Sequence, residues 1–219
     1  MSVSTKLKTI WKENTGLFVF LLSMMVFRSA IADYYTIPSG SMEPTLEVGD
    51  RIGVTKMAYD IRIPFTMVKV ARLNEPNRGD VVVFESQAAN NRLIKRVIGL
   101  PGDTVSMHNE RLYINGKAVE YELITQEERQ LVAYELLAGK AHIVKFDNNR
   151  SKALANFAPV KVPEDSYLVL GDNRRASADS RVYGFVPRSE IIGRADKVLF
   201  SLDYDNYYLP KSDRFNESL

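Results

Sequence analysis

Apolar positions follow two different rhythms along this chain. The first is continuous. From Asn14 to Phe27 no residue is charged, and over the 19 residues from Asn14 to Ala32 the only charge is Arg28. A helix rising ~1.5 Å per residue covers about 28 Å in that length, close to one bilayer core. The pattern predicts an uncleaved transmembrane anchor over 14–32. Residues 1–13, with Lys6, Lys8 and Lys12, would lie on the cytoplasmic side and the rest of the chain outside. Arg28 would snorkel to the headgroups, and Tyr34 and Tyr35 would sit as aromatic anchors at the interface. Two alternatives stand beside the anchor. Ala30-Ile31-Ala32 has the small-x-small form of a leader cleavage site, and the short uncharged run also suits a buried core helix.

The second rhythm is one of short branched or aromatic runs separated by turn formers. Val81 to Phe84 follows Arg78-Gly79-Asp80, and an alternating stretch from Arg92 to Ile98 is closed by Leu100-Pro101-Gly102-Asp103. Leu112-Tyr113-Ile114 and Lys117-Ala118-Val119 flank Asn115-Gly116, a strong hairpin signal. Tyr167 to Leu170 precedes Gly171-Asp172-Asn173, and Val198 to Phe200 reads as a late strand. Only Gln126 to Leu137 suggests a helix. The expectation is a mainly β fold, a barrel or sandwich. Its main domain would comprise 33–103 and 163–219, with 104–162 as an inserted β subdomain. The apolar segment Ile61 to Val68 suits either a dip into a membrane interface or a core strand.

Composition narrows the chemistry. A formal net charge of +2 with no long basic run gives nucleic-acid binding no electrostatic support. The absence of cysteine excludes disulfides, thiolate metal sites and a cysteine nucleophile. With His108 and His142 as the only histidines, a mechanism needing several imidazoles has little to work with. No ligand cluster suggests a metal, and no cofactor is expected.

Three segments concentrate reactive side chains. In Ile37-Pro38-Ser39-Gly40-Ser41-Met42-Glu43-Pro44-Thr45-Leu46, two prolines and a glycine constrain the backbone around two serines. A serine hydroxyl becomes a useful nucleophile only beside a base and a stabiliser for the oxyanion. If Arg92 to Ile98 is a strand, Leu93, Lys95 and Val97 share one face and Arg96 points the other way. A lysine set among apolar neighbours loses proton affinity, as a lysine base requires. The third segment, Gly171 to Gly184, mixes turn formers with charges. Asp179 could pair there with Arg181, or with Arg96 from the preceding motif, and Ser177 could orient a lysine amine. Taken singly, each segment is equally compatible with an ordinary turn, a solvated strand-edge lysine and a polar loop.

In this order and spacing, the three motifs resemble bacterial type I signal peptidases. The resemblance covers Tyr35 to Ile52, Arg78 to Asp103 and Tyr167 to Pro187. It implies Ser41 as nucleophile, Lys95 as general base, Ser39 in the oxyanion hole and Ser177 orienting the lysine. Asp179, Arg181 and Arg96 would form a supporting charge cluster. It also implies a mostly β domain with a β insertion, signal peptides of exported preproteins as substrates, and membrane lipid as a partner. The location implied is a bacterial inner membrane, single-pass, with the catalytic domain on the outer face. Ile37, Met42, Leu46, Ile52 and Ile94 are the candidates for lining shallow pockets for small side chains. Arg175-Ala176, Leu93 and Val182 depart from common family residues without touching a proposed catalytic atom. A peptidase dedicated to one transfer-system substrate, or an inactive membrane-anchored peptide-binding β domain, would carry much of the same pattern.

Overall fold

The computed structural model describes residues 11–66 and 68–219. One long helix, α1 (Thr15–Ala30), precedes the strands. In chain order these begin with β1 (Ala32–Thr36), β2 (Asp50–Thr55), β3 (Asp60–Arg62), β4 (Lys69–Arg72), β5 (Val81–Ser86) and β6 (Asn91–Gly99). Next come β7 (Thr104–His108), β8 (Arg111–Ile114), β9 (Lys117–Ala118), β10 (Glu120–Gln126), β11 (Gln130–Leu137), β12 (Lys140–Asp147) and β13 (Phe157–Lys161). The chain closes with β14 (Ser166–Leu170), a one-turn helix α2 (Ser180–Tyr183), β15 (Val186–Pro187), β16 (Ile191–Asp203), β17 (Leu209–Lys211) and β18 (Glu217–Ser218).

A nine-stranded sheet runs β1-β2-β16-β5-β6-β14-β15, with β17 and β18 added to β16. Its centre is β5, where Val81, Val82, Val83 and Phe84 are all buried. That explains the unbroken apolar run, since a strand covered on both faces has no reason to alternate. Val81, Val83, Ile37, Leu46 and Ile52 join one apolar cluster, while Val82, Phe84, Val97, Tyr167 and Val169 join another. The fold is mainly β, as the sequence leads one to expect, but the barrel is not closed. Among the described residues β1 pairs only with β2, and β15 only with β14, so the two ends of the sheet never meet.

The strands from Thr104 to Lys161 form two further sheets, β13-β7-β8-β9 and β10-β11-β12. Asn115 and Gly116 turn β8 into β9 with φ of 53° and 77°, the left-handed pair that a two-residue hairpin demands. Ile98, Leu168 and Leu170 of the large sheet pack with Val105, Leu112 and Leu137 in one cluster. Gln126 to Leu137 is no helix. Gln130–Leu137 is the central strand β11, with Ala133, Glu135 and Leu137 buried and Tyr134 and Leu136 outward. Strand pairing on both sides overrides the helix-favouring residues there.

The transmembrane expectation over 14–32 is also corrected. The helix stops at Ala30 after 16 residues, about 24 Å. Among the described residues no helix is long and apolar enough to cross a membrane. The sheet ends it: the Ile31 carbonyl accepts from Lys56 and Met57 N–H, and Ala32 already pairs with Thr55. Arg28 does not snorkel freely but pairs with Asp33 and lies over the Tyr34 ring. Lys6 and Lys8 lie outside the described residues. The core-strand reading of Ile61 to Val68 fails as well. β3 and β4 form a hairpin whose Ile63, Phe65 and Val68 are exposed. Met67 lies outside the described residues.

Candidate active site

Ser41 sits in a single 3₁₀ turn, Gly40–Met42, just beyond β1. Lys95 lies in the middle of β6, opposite Val82 of β5, and is 2% exposed. Its Nζ is 2.7 Å from Ser41 Oγ and 2.9 Å from the Ile94 carbonyl. Burial pushes the Lys95 amine down to about 8, against the opposing pull of Asp179 and Asp172. An amine that loses its proton near pH 8, in contact with a hydroxyl, can act as a general base towards it. Ser39 is exposed, with its Oγ 3.4 Å from Ser41 Oγ. Among the described residues, Lys95 and Ser39 are the side chains that hydrogen-bond Ser41 Oγ. His142 lies instead against Glu135.

The turn is held from behind by the segment after β14. Asn173 N–H donates to the Ser41 carbonyl at 3.1 Å, and Asn173 Nδ2 donates to the Gly40 carbonyl at 3.0 Å. Thr45 Oγ1 donates to Asp172 Oδ2 at 2.6 Å. Asp172 is fully buried. Burial alone would raise its carboxyl, but the two bonds from Arg96, at 2.9 and 2.6 Å, hold it below the usual carboxylate range. Asp179 is the same kind of group: Arg181 and the Gly171 N–H outweigh the cost of its burial.

Against the sequence, Asp179 does pair with Arg181, at 2.7 Å, but Arg96 belongs to Asp172 and not to Asp179. Lys95 and Arg96, adjacent in β6, reach different loops because alternate residues leave a strand on opposite faces. Ser177 is buried near Asp179, yet its Oγ has no well-formed hydrogen bond and none to Lys95. The pocket candidates fare unevenly. Ile37, Met42, Leu46 and Ile52 are 0–2% exposed and belong to the core, whereas Ile94 is half-buried at its rim. Of the five, Ile94 is the one that still offers surface to a substrate.

Sequence reading passed over Asp172, Asn173 and Thr45 as individual residues, although the motifs contain them. It also passed over Glu135 and Lys145, which come from strands in the 104–162 segment. Arg174 pairs there with Glu135, and Lys145 with Glu43. No local pattern marks those positions, since their partners are 39 and 102 residues away.

Comparison with known proteins bears on this geometry. A family model described as signal peptidase, peptidase S26, matches residues 11–200. Signal peptidase I of Pseudomonas fluorescens and that of Pseudomonas aeruginosa are each 40% identical to this chain over 200 residues, covering 84% of it and 70% of themselves. Signal peptidase I of Bacillus licheniformis is 30% identical over 198 residues, 90% of this chain and 92% of its own.

Proposed function

The chain belongs to the signal peptidase family, peptidase S26, as a serine peptidase that removes signal peptides, and from that premise we propose that Ser41 and Lys95 are its catalytic dyad. The observation that carries this reading is the 2.7 Å contact between a buried lysine amine, lowered to about 8, and a serine hydroxyl. Neutral Lys95 takes the Ser41 proton as the hydroxyl attacks the scissile carbonyl. Ser39 Oγ and the Ser41 N–H receive the oxyanion, and each donor in such a site contributes roughly 3–4 kcal/mol. Lys95 then protonates the leaving amine and activates the water that releases the acyl group. Asp179, Arg181, Asp172 and Arg96 keep the surrounding loops in place, with Ser177 buried beside Asp179. Ile94 contacts the small side chains before the cut. Residues 104–162 are an inserted unit that braces the loop after β14. The test is a preprotein carrying an Ala-x-Ala site, with the N-terminus of the product identified. Cleavage elsewhere than after the second alanine would reject the proposed specificity.

The pH dependence follows from the same amine. Below its pKa Lys95 holds a proton and cannot accept another, so kcat/KM rises with pH along an acidic limb whose apparent pKa is near 8. Lys95→Arg, permanently charged, has no such limb because it has no activity to titrate. A rate already flat from pH 6 upward would show that Lys95 is not the base.

The site works at a membrane surface, at the outer face of a bacterial membrane. Two exposed apolar elements support this. Leu17, Phe20, Leu22, Met25 and Phe27 of α1 are exposed, and so are Ile63, Phe65, Val68 and Val70 of the β3–β4 hairpin. Phe65 N–H donates to Ser29 Oγ, joining the hairpin tip to the end of the helix. A contiguous apolar surface of this kind marks a membrane or partner contact. The double variant Phe65→Ser/Val70→Ser is expected to bind phospholipid vesicles several-fold more weakly in co-sedimentation. It should cleave membrane-inserted preprotein more slowly than wild type and a short soluble peptide at the wild-type rate. Equal vesicle binding would remove the hairpin from the membrane face.

A further inference from the structure

Glu43 lies two residues beyond Ser41, and its carboxylate rests against Gly40 so closely that a Cβ there would collide with Glu43 Oε1. Lys145 of β12 holds the other oxygen, with Nζ 2.9 Å from Glu43 Oε2. The backbone of Lys145 is tied as well: its N–H donates to the Asp172 carbonyl at 2.9 Å, and its carbonyl accepts the Arg174 N–H at 2.8 Å. Lys145 therefore pairs in parallel with Asn173, the residue that holds the Gly40 and Ser41 carbonyls. One residue from the 104–162 segment thus grips both sides of the nucleophile turn, one through its backbone and the other through its side chain.

We propose that Lys145 and Glu43 form a positioning pair that sets the Ser41 hydroxyl against Lys95. The inference rests on the Ser41–Lys95 reading of the site. Neither residue touches Ser41 Oγ or Lys95 Nζ, so the pair acts through the turn. Its side chains are 22% and 30% exposed, and an ion pair that wet contributes little to global stability. Its leverage is geometric. Displacing a reacting group by about 1 Å can cost roughly 100-fold in rate, and among the described residues Lys145 is the side chain that ion-pairs with Glu43 and so links it to the turn's other wall.

The test compares the full-length wild type, Lys145→Met, Glu43→Gln and Lys145→Arg, using an Ala-x-Ala peptide and hydrogen exchange of the segment spanning 39–46. Lys145→Met and Glu43→Gln are each expected to lower kcat about tenfold with KM within twofold of wild type and the pH profile unshifted. Both should speed amide exchange in 39–46 while the melting temperature stays within a few degrees. Lys145→Arg should recover most of the loss. Unchanged kcat, an effect confined to KM, a loss that Lys145→Arg shares in full, or unchanged exchange would each overturn the pair's positioning role. If Lys145→Met fails to fold, Glu43→Gln decides the same question. If the wild type does not cut the peptide, the catalytic reading falls, and the exchange data still decide whether the pair holds the turn.

Discussion

Ser41→Ala is expected to lower the cleavage rate by about 10⁵-fold, and Lys95→Met by a similar factor, with the double variant no worse than either. The non-additivity is the informative part. A nucleophile and its base act as a unit, so once one is gone the other has nothing to do. Lys95 sits at 2% exposure among apolar neighbours, and methionine fills much of the same space without a charge. Lys95→Met should therefore fold with a melting temperature close to wild type, which separates lost chemistry from lost structure. Rates come from single-turnover cleavage of a preprotein, and stability from thermal unfolding. Activity surviving in Lys95→Met but not in Ser41→Ala would point to a different base and would leave the 2.7 Å contact without a catalytic role.

The second large effect lies behind the site. Arg174 and Glu135 are almost wholly buried and paired with each other, and Tyr121 Oη also donates to Glu135. Removing one member strands a charge in the interior, which costs about 3–5 kcal/mol. Arg174→Leu is thus expected to lower the urea midpoint sharply, and Arg174→Leu/Glu135→Leu to recover much of that loss. The double variant keeps the core dry and leaves no charge unpaired. A double variant as unstable as the single one would mean that the polar network, and not the stranded charge, carries the energy.

Acid sensitivity follows from the same carboxylate. Burial would raise Glu135, but Arg174 and His142 hold it far below the ordinary range. Its unfolded value is about 4.3. The stability it contributes is therefore complete above that pH and drains away as pH falls towards the depressed native value. Asp172 and Asp179 are depressed in the same direction and add to the slope. Urea midpoints measured from pH 6 downward should fall steeply below pH ~4, and less steeply in Glu135→Gln, which has no proton to take up there.

How much of this was legible along the chain depends on how far each contact reaches. Val81 to Phe84, the Asn115-Gly116 turn and the alternation around Lys95 are local patterns. Each specifies a strand or turn from a few adjacent residues, so the mainly β fold could be read directly. The Ser41 and Lys95 motifs were legible for a similar reason, since a rigid Ser/Pro/Gly turn and a lysine flanked by apolar residues carry their chemistry in residue type. The helix expectation for Gln126 to Leu137 fails because helix propensity is local, while the two strand partners of Gln130–Leu137 are not.

By itself, then, the sequence determined the strand-rich architecture, the family, and the two side chains proposed as its dyad. Tertiary structure alone decided where the N-terminal helix stops, because pairing of Ala32 with Thr55 ends it. It decided that Arg96 joins Asp172 and leaves Asp179 to Arg181, and that Met42, Leu46 and Ile52 are buried in the core. It also recruited Glu135 and Lys145 from the 104–162 segment to brace the active-site loops. These are contacts between residues far apart in the chain. Several partners are chemically equivalent for each charge, and only the packing of the sheets brings one of them within reach.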